Sequence, residues 1–180
     1  SDFIVVDTPG GDDTLSRRTH SYADTLITPM NDSFIDLDVL AKVEPDTMKI
    51  IRPSAYAEFV WENRKKRIQR DGGSIDWIVA RNRLSSLDSR NRRAVADVLT
   101  TLSNRIGFRV APGFSERMIF RELFLKGLTL LDLRDPDAGI RLNMSHLAAR
   151  QEVRMMLDAI GLPETVEQDE APRVLGSADT

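Results

Sequence analysis

The sequence is 180 residues long, 41% hydrophobic and 29% charged, with a formal net charge of −3. That is enough chain for one buried core, and the composition is that of a soluble globular domain. It has no cysteine, which excludes disulfides, thiolate-bound metals and cysteine-ligated clusters. No apolar run nears the roughly 18 residues of a membrane helix, and no basic segment leads into an apolar leader. A cytoplasmic protein without a membrane partner is the expectation.

In chain order, Phe3-Ile4-Val5-Val6-Asp7 is apolar on both faces and predicts a buried parallel strand. Similar short runs follow at Thr25–Thr28, Trp77–Ala80, Phe108–Val110 and Leu128–Leu131. Helical patterns separate them: from about Ser33 to Val43, from Ser54 to Arg70, from Asp88 to Gly107 and from Glu116 to Lys126. In the third, Val95, Val98, Leu99, Leu102 and Ile106 fall on one face at helical spacing. The last helix is predicted to begin at Ser145 as N-cap and to stop at Gly161, with Pro163 beyond.

Alternating strands and helices predict an α/β fold, a mostly parallel β-sheet flanked by helices on both faces. One domain is expected over residues 1–162. Residues 134–144 read as a loop, and 163–180 as a disordered tail with five acids against one arginine. A chain that opens on a central strand leads to the expectation that earlier strands precede Ser1.

The sharpest local motif is the apolar strand ending in Asp7-Thr8-Pro9-Gly10-Gly11. It matches the Walker B strand and switch II loop of P-loop NTPases. An acid at the carboxyl end of a parallel strand lies at the ligand crevice of an α/β sheet. There Asp7 is expected to hold Mg²⁺ through water, while Thr8, Pro9, Gly10 and Gly11 order around the γ-phosphate. The plainer alternative is a strand that ends in a tight turn. Downstream, Asp32, Asp36 and Asp38 begin a helical pattern, where acids complement the helix dipole and solvate a surface. At the end of the strand Trp77–Ala80, Asn82 and Arg83 are candidates to hydrogen-bond and stack on adenine, or else form a polar strand-to-helix turn.

Residues 81–121 carry nine arginines against Asp88, Asp97 and Glu116. On a wheel of 88–106, Arg90 and Arg93 point away from the apolar face, with Arg92 and Arg105 on its flanks. With Arg117 they form a candidate DNA-binding face. No aromatic residue is interleaved, so the expected contact is with phosphates, salt-sensitive and without sequence preference. A solvated face with an internal Arg93–Asp97 pair is the alternative. The two histidines, His20 and His146, lack the spacing of a metal site.

Several segments carry a wider resemblance: Trp61-Glu62-Asn63-Arg64, Arg81-Asn82-Arg83-Leu84, Ser89-Arg90-Asn91-Arg92-Arg93, Arg117 to Phe124, Gly127 to Asp132, and His146 to Glu152. Together they resemble the MipZ family of alphaproteobacteria, ParA/MinD-class P-loop ATPases, from Asp2 to about Leu162 and in the family's order. The resemblance implies a P-loop NTPase fold and an ATP- and Mg²⁺-dependent switch. ATP would join two subunits through a helix that here carries Asp32 and Asp36, and the dimer would bind DNA. It also implies interaction with ParB, inhibition of FtsZ polymerisation, and placement of the division site by a nucleoid-associated bacterial protein. The family's P-loop would lie upstream of Ser1, so this chain by itself is expected to be an inactive C-terminal part of the ATPase. Another ParA-like partition ATPase, or an inactive DNA- or partner-binding module of the same fold, are the alternatives.

Overall fold

The computed structural model describes residues 3–11, 13–44, 47, 49–84, 89–130, 132–134 and 143–162. Of the expected loop at 134–144, residues 135–142 lie outside them, as does the acidic tail at 163–180, while Met144 already belongs to the last helix.

The centre of the fold is a strand that is apolar on both sides. Strand β4 (Asp76–Asn82) buries Trp77, Ile78, Val79 and Ala80 in succession, as a strand covered on both faces must. It pairs in parallel with β1 (Thr25–Asn31) from Thr25↔Asp76 to Asn31↔Asn82, and in parallel with β5 (Arg109–Ala111), giving the order β1-β4-β5. Alternate side chains of β4 sort to opposite faces. Trp77 and Val79 join Met30, the helix α2 (Ala55–Asp71) through Ala57 and Val60, and the helix α3 (Ser89–Leu102) through Val95, Val98, Leu99 and Leu102. Ile78 and Ala80 pack with Ala111 and Met156 of α5 (Met144–Ile160). Helices thus cover both faces, as the sequence pattern requires. A smaller cluster, Ile119, Leu123, Leu130, Leu133 and Ala149, joins α4 (Met118–Leu125) to α5.

Capping explains the helix limits. Ser54 Oγ accepts from Ala57 N at the start of α2, and Asn143 Oδ1 accepts from His146 N at the start of α5, satisfying first-turn N–H groups. Asn143, not Ser145, is therefore the α5 N-cap. Helix α5 ends where Gly161 takes φ 68°, a left-handed C-cap that a residue with a Cβ adopts at a cost.

Four segments differ from the sequence expectation. The run Ser33–Val43 is not a helix: a 3₁₀ turn at Asp36–Val39 leads into β2 (Ala41–Val43), antiparallel to β3 (Ile50–Pro53). The buried pair Leu37 and Leu40 has the three-residue spacing that a 3₁₀ turn eclipses. The hairpin strands carry β-branched Val43, Ile50 and Ile51, which favour extended backbone. Leu128–Leu130 is not a strand, because Asp132 Oδ2 accepts from both Thr129 N and Thr129 Oγ1 and closes a local turn. Helix α1 (Thr14–Tyr22), capped by Asp13, follows the first glycine pair without a periodic apolar face to announce it.

The fourth is Phe3–Asp7, which forms no strand; its side chains are exposed, Ile4 at 86% and Val5 at 94%. A parallel strand is stable only beside a neighbour that takes its N–H and C=O groups. None of the described residues pairs with this segment.

Candidate functional site

The carboxyl ends of β1, β4 and β5 meet on one side of the sheet, the place where open α/β sheets take ligands. Asn31 and Asn82 end their strands in register, and Asp32 N donates to Asn82 O at 3.2 Å. The next residue, Arg83, has φ 53°, a left-handed conformation uncommon outside glycine and asparagine. Its N–H donates to Asn82 Oδ1 at 2.9 Å. Asn82 and Arg83 thus form an exposed elbow. Among the described residues, the Arg83 guanidinium has no ion-pair partner and the Asn82 side-chain N–H groups have no acceptor.

The elbow is fixed on both sides. Arg81 O accepts from Phe114 N at 2.8 Å, and Leu84 N donates to Phe114 O at 2.9 Å. A Cβ on Gly113 would lie 2.5 Å from Arg81 O and 2.9 Å from Leu84 Cδ1, so this crossing admits only glycine. Behind the elbow, Arg81 Nε donates to Asp32 Oδ1 at 2.9 Å, Nη2 bonds the same oxygen, and Nη2 also donates to Arg92 O at 3.2 Å. Both side chains are largely covered, at 12% and 7% exposure. Asp36 Oδ2 accepts from Asn31 N at 2.8 Å. The acids expected at a subunit interface are therefore turned inward, on Arg81 and on the end of β1. The Asp32 side chain is 7% exposed and is engaged by Arg81 rather than by solvent.

The candidate switch segment lies elsewhere in character. Asp7 is exposed, as are Pro9, Gly10 and Gly11, with Thr8 half-buried. A Cβ on Gly10 or Gly11 would meet nothing within 4 Å. The loop touches the fold where Ser16 Oγ, near the start of α1, approaches Pro9 O at 3.5 Å. Because Phe3–Asp7 is not in the sheet, Asp7 does not close a strand at the carboxyl ends, and this corrects the sequence reading of its position. No group of three acids or histidines able to hold a metal occurs among the described residues. What the described residues gather at the carboxyl ends is the Asn82–Arg83 elbow, with its exposed amide and guanidinium. They do not amount to a cradle for a triphosphate with Mg²⁺.

From α1, a hydrogen-bonded chain enters the core. Trp77 Nε1 donates to Thr28 Oγ1 at 2.9 Å, Thr28 Oγ1 and the Tyr56 hydroxyl lie 2.9 Å apart, and that hydroxyl is 3.5 Å from His20 Nε2. His20 Nδ1 donates to Ser16 O at 2.6 Å. Burial pushes the Tyr56 phenol above its ordinary value of 10.0, against the opposing pull of its hydrogen bond with Thr28. The lone His20 gave no hint of this chain, since Tyr56, the residue that links it to the core, lies 36 residues away in sequence.

Of the candidate DNA-binding arginines, Arg92 and Arg93 on α3 and Arg105 in the π turn Ser103–Gly107 are exposed. The Arg90 side chain lies outside the described residues. Arg117 points inward: its Nη2 donates to Glu152 Oε1 at 2.7 Å and its Nε to Glu152 Oε2 at 3.3 Å. Glu152 also accepts from Ser115 Oγ at 2.8 Å and Ser115 N at 3.2 Å. Burial pulls the Glu152 carboxyl upward, but these donors together outweigh it and hold it below its ordinary value of 4.5. Arg117 thus ties the start of α4 to α5, and its charge is committed there.

A protein-family comparison matches residues 1–164 to the family described as ATPase MipZ. No individual curated protein matches the chain.

Proposed function

The chain belongs to the ATPase MipZ family, and on that premise we propose that it is the core of an ATP-switched regulator of division-site placement. In this reading ATP, with Mg²⁺, joins two copies of the protein. The dimer binds DNA without sequence preference, and it engages ParB and restrains FtsZ polymerisation. Membership in an ATPase family carries the nucleotide part of the reading. The parallel sheet with helices on both faces is the fold such an enzyme needs.

Two exposed residues support a site for the base. Asn82 offers side-chain N–H groups and Arg83 a planar guanidinium, both exposed at the carboxyl end of the central strand. An adenine presents ring nitrogens to accept and a face on which a guanidinium stacks. At the phosphate end the chain supplies Asp7 and the paired glycines Gly10 and Gly11. None of its lysines sits in a Gly-x-x-x-x-Gly-Lys-Ser/Thr run, so these residues account for the base and the switch loop and not for hydrolysis. The exposed Arg92, Arg93 and Arg105 are the cations offered to DNA phosphates.

The test is nucleotide binding by the full-length polypeptide that carries this sequence, read by anisotropy of a fluorescent ATP analogue. Asn82→Ala removes one hydrogen-bonding contact and is expected to weaken binding by about tenfold, or about 1.4 kcal/mol. A full-length polypeptide that binds no ATP would leave only the partner-binding module. ATP binding unaltered by Asn82→Ala would remove the base site.

A further inference from the structure

Arg81 and Asp32 lie one step behind the elbow, and neither is accessible enough to meet a ligand. Their side chains are 12% and 7% exposed. A buried ion pair costs desolvation of both charges, so its retention calls for a role in specifying an arrangement. Three elements converge on Arg81. Its guanidinium holds Asp32 at the end of β1 and the Arg92 carbonyl in the first turns of α3, while its own carbonyl takes Phe114 N after β5. Asp32 in turn secures the elbow a second time, through its N–H on Asn82 O. Arg83 at φ 53° is the kind of backbone state that persists only where the surroundings over-determine it.

We propose that the buried Asp32–Arg81 pair is the positioning device of the base site and couples its occupancy to the basic face of α3. It acts through Asn82 and Arg83, which it holds in their elbow conformation, and through the Arg92 carbonyl, which fixes the start of the helix that exposes Arg92 and Arg93. A base that presses on Asn82 or Arg83 bears on Arg81, and Arg81 bears on α3 through the Arg92 carbonyl. The inference deepens the ATPase reading above and rests on it.

The experiment uses the full-length polypeptide and two variants: Asp32→Asn, which keeps the shape and removes the charge, and Arg81→Lys, which keeps the charge and removes the fork. Steady-state ATP hydrolysis and affinity for a duplex DNA, with and without ATP, are measured on protein shown to be folded by circular dichroism. The expected result is a KM for ATP raised about tenfold with kcat moved less than about twofold, the signature of lost ground-state positioning. The ratio of DNA affinities with and without ATP should also shrink toward one. A destabilised structural residue would lower active protein and leave KM and that ratio alone; this outcome overturns the proposal, as does either variant behaving like the parent. Should Asp32→Asn not fold, Arg81→Lys decides alone by the same two readouts. If the parent itself binds no ATP, the ATPase reading fails first; if it binds ATP and Asn82→Ala binds it as tightly, the base site fails instead.

Discussion

The hydrogen-bonded chain from α1 to Trp77 yields an ordered set of stability losses. Its polarity is fixed from both ends. An indole N–H only donates and a carbonyl oxygen only accepts, so Trp77 Nε1 gives to Thr28 and His20 Nδ1 gives to Ser16 O. That leaves His20 Nε2 as acceptor, Tyr56 as its donor, and Thr28 as donor to Tyr56. Thr28→Val keeps the strand and the shape but strands the Trp77 N–H, whose residue is only 1% exposed, and takes a donor from Tyr56. A buried group left unpaired costs about 1–3 kcal/mol, so the loss should be about 2–3 kcal/mol. Tyr56→Phe leaves Trp77 satisfied and removes one bond of Thr28, for about 1 kcal/mol. The double variant should cost less than the sum, because no tyrosine hydroxyl remains to be deprived. Denaturant unfolding followed by tryptophan emission measures all three in a Trp61→Phe background, where Trp77 is the remaining tryptophan. A Tyr56→Phe loss equal to or above that of Thr28→Val would refute the assigned polarity.

Two further outcomes follow from the arginines. The Glu152 carboxyl is held below its unfolded value, so its contribution is present above that value and is lost as pH falls through the folded one. Glu152→Gln should therefore be less stable than the parent at neutral pH, with the gap closing below about pH 4.5; a gap independent of pH in thermal unfolding contradicts this. Arg92→Ala with Arg93→Ala should lower the slope of log affinity for DNA against log salt by about two, and Arg117→Ala, whose charge is spent on Glu152, should leave it unchanged. An unaltered slope in the double variant removes these two residues from the DNA face.

What the sequence revealed of this fold tracks how local each cause is. Trp77–Ala80 is legible because burial on both faces writes itself as a continuous apolar run, and α3 because its buried side repeats at helical spacing. β1 is longer than its pattern, reaching Asn31 through Pro29. Proline stops a central strand but not an edge strand, where its missing N–H faces outward, and β1 is an edge of the described sheet. The candidate site was less legible. Asp32 and Arg117 each read as surface charge because their counter-ions, Arg81 and Glu152, are 49 and 35 residues away. Asn82 and Arg83 stood out as polar residues at a strand end, yet the feature that shapes them, Gly113 against Arg81 O, comes from the segment that follows β5.

The same distinction explains why the apolar run Phe3–Asp7 forms no strand. An apolar run states a requirement for two covered faces and two paired edges; it carries no address for whatever meets that requirement. Burying Ile4 and Val5 would gain roughly 1.5–3 kcal/mol each, yet both are almost fully exposed, while the outer edge of β1 has no strand beside it among the described residues. Residue type and surroundings disagree at these two places and agree at the base elbow, where two backbone pins and a buried ion pair converge on two residues. The elbow is therefore organised by contacts the chain itself contains, whereas the position of the Asp7 carboxylate depends on what covers Phe3–Val6.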